Sequence, residues 1–294
     1  MRPLTRRAFV GLATVGTVAA SRAFGEQNGD RRPRVTYAEG KEGAYVSIDV
    51  PFIEGARADI WCYEDRLGRP TDHRSEGQTL VLTHRLNEAT VVSRFEPVDD
   101  AVAVRVEVSG PNAASAKAVR SLNPCWQLRR SPAFANRGDY VEDFVARCFV
   151  FLESGFTLLK DTKRVPGTCP PSEKQANLPK PWIQEYYPIW RKHPGQTPGQ
   201  RGRSPDRPVY PLVGCVSRDG KHLTAFAWPE CQSLGQVWHD CLHPRPAIGE
   251  SYDAKANRTV SRGRLYFMAN DPAALLAAFR RDFPDWRRPL AAGR

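Results

Sequence analysis

A strict alternation of valine with small or charged residues is the feature that most constrains the fold of this chain. Between Ala101 and Val108 every second residue is valine. Successive side chains of a β-strand point to opposite faces, so this pattern predicts a strand with one buried face. Similar alternation begins at Tyr45 and at Thr79. The body of the chain is therefore predicted to be all-β and mainly antiparallel.

A hairpin and a buried strand are predicted in the second half of the chain. Asp219-Gly220 separates the apolar runs 213–217 and 223–228. This pair tolerates the positive φ angles of a tight turn, which predicts a β-hairpin. The run Phe144 to Leu152 is apolar without alternation, as is typical of a strand that is covered on both faces.

The last elements are predicted to be a strand and a short C-terminal helix. Gly263 lies inside the apolar strand 259–268, and a glycine there indicates a bulge. Asp271 is a good N-cap and Pro272 fits the first helical position, so a helix is predicted up to Phe279.

The domain organisation follows from where these elements stop. Residues 24–39 are predicted to be a flexible N-terminal segment, and residues 40–294 a single β-sandwich domain. Residues 166–211 form a long Pro-rich loop with eleven of the chain's 25 prolines. A division into two domains at this loop is the alternative.

Residues 1–23 have the layout of an export signal. Arg6-Arg7 and Phe9 precede an apolar run and the small-residue site Ser21-Arg22-Ala23. The paired arginines resemble a twin-arginine motif, and an ordinary secretory signal is the alternative. We therefore expect the twin-arginine machinery as a partner of the precursor, a periplasmic or secreted location, and no transmembrane anchor after cleavage.

The net charge favours an anionic partner. The formal charge is +11, and four arginines in residues 1–23 leave +7 for the rest. Such a balance fits an acidic polysaccharide or an envelope surface, although a basic chain without functional meaning is the alternative. The sequence has no recognised nucleic-acid-binding motif, so nucleic acid is not predicted as a partner.

Seven cysteines lack any C-x-x-C spacing, which argues against a zinc ribbon or a thioredoxin-like motif. Cysteines in strand-like runs are predicted to be buried core residues: Cys125, Cys148 and Cys215. Those in loop-like contexts are better candidates for disulfides: Cys169, Cys231 and Cys241.

The segment from Trp238 to His243 holds the densest group of reactive side chains. In an extended strand His239, Cys241 and His243 would share one face. Imidazole and thiolate together suit zinc or copper, and either histidine also suits acid/base chemistry. The alternative is a disulfide at Cys241 among hydrogen-bonded histidines. On balance we predict no metal and no cofactor.

His84 follows Leu80 and Leu82 on the inward-facing side of a predicted strand. A histidine at the end of such a strand can act as an acid or base, or it can be a satisfied core residue. Arg85 is a candidate for holding a substrate carboxylate through its two-pronged donor geometry.

Aromatic side chains in the second half of the chain are candidates for stacking on sugar rings. Those nominated as substrate-binding lie in the Pro-rich loop or beside His239: Trp182, Tyr186, Tyr187, Trp190 and Trp238. Tryptophans at the core or edge of a β-sandwich are the alternative explanation.

The order of short strings along residues 40–283 resembles a known superfamily. Leu82-Thr83-His84, the strand 102–108, Cys125-Trp126-Gln127, Cys241-Leu242-His243 and Gly263-Arg264-Leu265 occur in that order. This layout resembles exported bacterial proteins with a galactose-mutarotase-like β-supersandwich. The resemblance implies that fold and the handling of sugars as a class.

Mutarotases use two histidines and a carboxylate. The resemblance implies that His84 and either His239 or His243 fill the histidine roles, while no glutamate falls at a matching motif. We therefore predict an exported protein that binds a carbohydrate and acts on it, if at all, by epimerase-like or lyase-like proton transfer. A non-catalytic sugar-binding or envelope-interaction module is the alternative.

Overall fold

The computed structural model describes most of the chain between Arg31 and Pro289. The described residues are 31–40, 43–61, 69–86, 88–110, 124–136, 141–165, 184–195, 202–237, 241–248, 252–253 and 255–289.

Two large sheets account for most of the described residues, and strands are numbered here in chain order. The eight-stranded sheet has the spatial order β1 (Arg34–Gly40), β2 (Gly43–Asp49), β3 (Arg57–Trp61), β8 (Cys125–Gln127), β18 (Cys241–Pro246), β17 (Cys231–Val237), β13 (Gln184–Tyr186) and β14 (Gly202–Arg203). The nine-stranded sheet has the order β12 (Gly155–Leu158), β11 (Cys148–Leu152), β15 (Leu212–Val216), β16 (His222–Ala227), β19 (Arg258–Ala269), β7 (Ala101–Ser109), β6 (Ala89–Val98), β5 (Thr79–Leu86) and β4 (Asp72–Glu76).

The remaining described elements are short. A two-stranded sheet joins β9 (Arg130–Ser131) to β10 (Ala135–Asn136), and the helices are α1 (Val141–Val145), α2 (Pro272–Asp282) and a 3-10 turn at Leu159–Asp161. Neither α-helix in the described part of the chain is long and apolar enough to cross a bilayer.

The hydrophobic core lies between the two large sheets. Each sheet contributes every second residue of its strands to one continuous buried cluster, for example Ile60 from β3 and Val104 from β7. All pairings in both sheets are antiparallel except that of β13 with β14. The predicted β-supersandwich is therefore confirmed.

The predicted hairpin is also confirmed. Strands β15 and β16 pair antiparallel around the turn, in which Gly220 has a φ of +72°. Asp219 fixes the turn because one of its carboxylate oxygens accepts hydrogen bonds from the Ser217 hydroxyl and the Lys221 amide.

The predicted C-terminal helix packs on the outer face of the nine-stranded sheet. The Asp271 carboxylate caps it by accepting hydrogen bonds from the Ala273 and Ala274 amides at 2.9 and 3.0 Å. Leu275 and Phe279 are buried in a second apolar cluster on that face.

Strands extend into two regions for which the sequence predicted irregular structure. Residues 34–39 belong to β1, which pairs with β2, so the sandwich begins before residue 40. Within the Pro-rich region, β13 is a strand of the eight-stranded sheet and pairs with β17.

The outermost strand of the nine-stranded sheet, β4, is exposed along its length. Arg74 lies between Asp72 and Glu76, with N–O distances of 3.2 and 2.9 Å.

The bulge predicted at Gly263 is wrong. The pairing of β19 with β7 runs through Gly263 opposite Val104 without a shift in register. A glycine is required because the indole ring of Trp228 lies on this position: a Cβ atom there would be 2.5 Å from Trp228 Cε3. The ring is held in place by a 2.6 Å hydrogen bond from its Nε1 to the Ser261 hydroxyl.

We expect Gly263→Ala to lower the free energy of unfolding by about 1–3 kcal/mol, because the added methyl group must displace a buried indole. Urea unfolding measures this change. The control is Arg262→Ala, at an exposed position of the same strand, which should change stability by less than about 0.5 kcal/mol. Equal stability of Gly263→Ala and the wild type would contradict the packing argument.

Candidate functional site

The eight-stranded sheet has a second face that points away from the core and carries polar and reactive side chains. In β3, β8 and β18 the core residues Ile60, Trp126 and Leu242 alternate with the residues of this face. We call it the polar face, and its residues are Tyr45, Asp59, Trp61, Cys125, Gln127, Glu185, Tyr187, Cys241, His243 and Arg245.

Asp59 organises one end of the polar face. Its side chain is only 2% exposed, and one carboxylate oxygen accepts a hydrogen bond from Arg130 Nε at 2.6 Å. This hydrogen bond raises the pKa of Arg130. Arg130 also donates to the Tyr45 hydroxyl, and Arg57 lies 3.5 Å from the same carboxyl group.

Two aromatic rings lie beside this charged group. Tyr45 and Trp61 stack with ring centroids 5.8 Å apart and planes 14° from parallel. The Arg130 guanidinium lies 4.5 Å from the Tyr45 ring, and that of Arg129 lies 5.4 Å from the Trp61 ring. At this end Trp61 is buried, and the half-buried Tyr45 ring lies next to positive charge.

Two thiols and an imidazole lie at the centre of the polar face. Cys125 projects from β8, while Cys241 and His243 project from the adjacent β18, and all three are buried. The two sulfur atoms are 3.7 Å apart, and Gln127 Nε2 donates to Cys125 Sγ at 3.4 Å. The thiols and Trp61 form a small apolar cluster separate from the main core.

Glu185 organises the other end of the polar face. One carboxylate oxygen lies 3.0 Å from Arg245, and the other accepts a hydrogen bond from the Tyr187 hydroxyl at 2.9 Å. Burial, together with the charge of Glu185, raises the pKa of Tyr187 to about 12. Arg245 and Tyr187 thus hold the Glu185 carboxylate in one orientation. The Arg245 side chain beside it is 24% exposed.

One strand of the sheet separates Glu185 from His243. Both residues are opposite Gly235 of β17, which lies between their strands and has no side chain. Two strand spacings place the backbones of Glu185 and His243 about 9.6 Å apart. The Arg245 side chain extends from the strand of His243 to within 3.0 Å of Glu185, so it occupies part of this interval.

His84 does not approach His243. It shares the inward face of β5 with Leu80 and Leu82 and is 1% exposed, whereas His243 is on the outward face of the other sheet. Burial lowers the pKa of His84 to about 4. Arg85 is exposed on the opposite side of β5 and donates to the Thr90 hydroxyl at 2.7 Å. The structure therefore does not bring the two histidines together.

Of the nominated aromatic residues that the structure describes, only Tyr187 lies on the polar face. Tyr186 is fully buried in the core and its hydroxyl lies 2.8 Å from that of Thr162. Trp190 packs against the core and against Trp286. The remaining nominated residues, Trp182, Trp238 and His239, lie outside the described residues.

The cysteines that the structure describes are all buried thiols: Cys125, Cys148, Cys215, Cys231 and Cys241. Burial of the first three agrees with the sequence prediction. Within the described residues Cys231 and Cys241 form no disulfide, and the third candidate, Cys169, lies outside them.

The sequence analysis missed Glu185, Arg245, Asp59 and Cys125 as members of one site. For Cys125 a signal was present, because Cys125-Trp126-Gln127-Leu128 alternates polar with apolar residues. For Glu185 the signal was weak, since its strand has three residues and lies inside the Pro-rich region.

A depression lies on the outer face of the nine-stranded sheet. It has a volume of about 340 Å³, and Arg94, Arg105 and Arg262 stand opposite one another on three adjacent strands. Glu76 pairs with Arg94, and Glu107 with Arg105. The polar face is the stronger candidate site because it brings two thiols, an imidazole and two ion-paired carboxylates together on one side of one sheet.

Comparison with known proteins adds distant structural similarity. No protein-family model matches the chain, and no curated protein matches it. Among solved structures, the chain is similar to a galactose mutarotase-like protein from Lactobacillus casei ATCC 334, with 10% identity and a TM-score of 0.37. The alignment covers 79% of this chain and 99% of that one. The assignment of the candidate site does not depend on this similarity.

We expect protonation of His84 to destabilise the fold. Its pKa is about 4 in the folded protein, below its ordinary value of 6.5. The unfolded chain therefore binds the proton more tightly. The stability that His84 contributes is complete above pH 6.5 and is lost as the pH falls towards 4, by about 3 kcal/mol in total.

Urea unfolding between pH 7 and pH 4 measures this loss, and His84→Gln should flatten the pH dependence. The matched control is His73→Gln, because His73 is exposed on β4. An unchanged pH profile in His84→Gln would show that another group is responsible.

Proposed function

We propose that this protein is an exported carbohydrate-binding protein whose polar face holds an extended glycan. The observation that carries the proposal is the row of side chains from Tyr45 to Glu185. It crosses six strands of one sheet, and the spacing of neighbouring strands makes it about 24 Å long. That length exceeds a single sugar ring.

The chemistry along this row suits a sugar. Ligand sites combine apolar and aromatic surface with a few well-placed polar groups. The half-buried Tyr45 ring, which stacks on the buried Trp61, can contact the C–H face of a sugar ring. At the other end Glu185, held by Arg245 and Tyr187, can accept hydrogen bonds from hydroxyl groups.

The charge of the face favours an acidic glycan. Arg57 and Arg130 share the carboxylate of Asp59, and Arg129 lies over Trp61. Asp49 also pairs with Arg57, which leaves three arginines against two acids at this end. Arginine is well suited to bind a carboxylate because its donors form a planar fork.

A second candidate function is proton transfer at a bound sugar ring. The presence of Glu185 and His243 on the same face, on either side of Gly235, favours it, because a carboxylate and an imidazole can serve as an acid/base pair. In this arrangement Glu185 fills the carboxylate role that the sequence left empty, and His84 takes no part.

Glycan binding can be measured by calorimetry with a panel of neutral and acidic polysaccharides. We expect an acidic member to bind, and Glu185→Gln to weaken its affinity about 10-fold, equivalent to about 1.4 kcal/mol, because the variant loses the charge that orients Arg245. Tyr187→Phe removes only the hydroxyl group and should have a smaller effect in the same direction.

The control is Glu153→Gln, because Glu153 is 79% exposed and pairs with Arg288 away from the polar face. Circular dichroism establishes that each variant is folded. Absence of binding to every glycan would refute the proposed function. Equal affinities of Glu185→Gln and the wild type would remove the polar face as its site. Unsaturated or epimerised products would support proton transfer.

Export is a separate part of the proposal and rests on residues 1–23, which lie outside the described residues. We expect the double substitution Arg6→Lys and Arg7→Lys to block export while preserving charge, because the twin-arginine route requires the arginine pair. Immunoblots of cell fractions measure the precursor, and Arg2→Lys is the control. Normal export of the double variant would indicate an ordinary secretory signal instead.

A further inference from the structure

Cys125, Cys241 and His243 form a cluster of metal-binding side chains. One ligand atom from each residue lies within 4.8 Å of the other two, and all three residues are buried. We propose that this cluster binds one thiophilic divalent metal ion, with zinc as the best fit. Thiolate and imidazole are the ligands that zinc prefers in proteins, and Cys2His sets with one open position are known for it.

The distance between the sulfur atoms fits tetrahedral zinc. Two sulfurs that are each about 2.3 Å from a zinc ion, at the tetrahedral angle, lie about 3.8 Å apart. The observed distance between Cys125 Sγ and Cys241 Sγ is 3.7 Å. The side chains therefore need little rearrangement to accept the ion.

A disulfide between the same cysteines fits less well. The register pairs Cys241 with Gln127, which places Cys125 diagonally across from Cys241. Diagonal neighbours in an antiparallel sheet have Cα atoms about 7–8 Å apart, whereas disulfides usually require about 4.4–6.8 Å. By contrast, Cys148 and Cys215 are directly opposite each other in β11 and β15, where Cα atoms are closer than in a diagonal pair.

The surroundings of the cluster favour a bound thiolate. Gln127 Nε2 donates a hydrogen bond to Cys125 Sγ, and such outer contacts orient and tune metal ligands. The ligands lie on two hydrogen-bonded strands, β8 and β18, which hold them in position before the metal arrives. Trp61 packs against both thiols and limits the access of water.

Metal binding has a defined proton balance and a defined relation to the proposed functions. Zn²⁺ displaces the protons of both thiols, so the complex has two Zn–S bonds and one Zn–N bond, and two protons enter solution. The fourth position remains for water or a ligand oxygen.

A metal on His243 removes that residue from proton transfer but leaves the glycan-binding proposal untouched.

The test uses the full chain, freed of metal by a chelator and then titrated with Co²⁺ and with Zn²⁺. We expect about one equivalent to bind, a cobalt–thiolate charge-transfer band, and release of about two protons per ion. Cys125→Ser and Cys241→Ser should each weaken this band, and Gln127→Leu should lower the affinity about 10-fold.

The matched control is Cys148→Ser, because Cys148 is buried opposite Cys215 and is not a member of the proposed metal cluster. This variant should retain full binding. X-ray absorption of zinc-loaded wild-type protein should show two sulfur neighbours, and it keeps the test valid if a variant fails to fold. The proposal is overturned if neither ion binds in stoichiometric amount, if only oxygen and nitrogen surround the zinc, or if Cys241→Ser retains the full band.

Discussion

The burial of every second side chain between two sheets is the constraint on which the rest of the structure depends. Once Ile60, Trp126 and Leu242 face the core, Cys125, Cys241 and His243 must point to the other side of the same sheet. A shift of one residue in register would exchange the two sets. The apolar core therefore determines where the reactive side chains lie, although it makes no use of them.

The polar face concentrates three kinds of chemistry in one plane. Asp59 and Glu185 are ionic anchors near its two ends, and the thiols and His243 lie between them. Charged groups at low exposure are stable only when paired, and each of these carboxylates has an arginine partner. His84 and His243, one of the two histidine pairs that the sequence suggested, are on different sheets, His84 in the core and His243 on the polar face. The chemistry of the face therefore depends on Glu185 and the thiols more than on a histidine pair.

Local patterns predicted the fold far better than they predicted the site. The valines of β7 and the Asp219-Gly220 turn carry their information within a few neighbouring residues, and both predictions are confirmed. Cys125 and Cys241 are 116 residues apart in sequence, and only the pairing of β8 with β18 brings them together. The run from Phe144 to Leu152 shows a similar limit, because α1 occupies its beginning and the strand starts at Cys148. Periodicity reports which face a residue occupies, but not which strand lies beside it.

The exposed strand β4 has a consequence for how copies of this protein meet. The rim of a sheet offers unsatisfied backbone donors and acceptors, and a second chain can add to it as a further strand. At this edge Arg74 lies between Asp72 and Glu76. A second chain would therefore have to desolvate three charged groups before its backbone could form hydrogen bonds with β4. The charged edge therefore disfavours the addition of a further strand at β4.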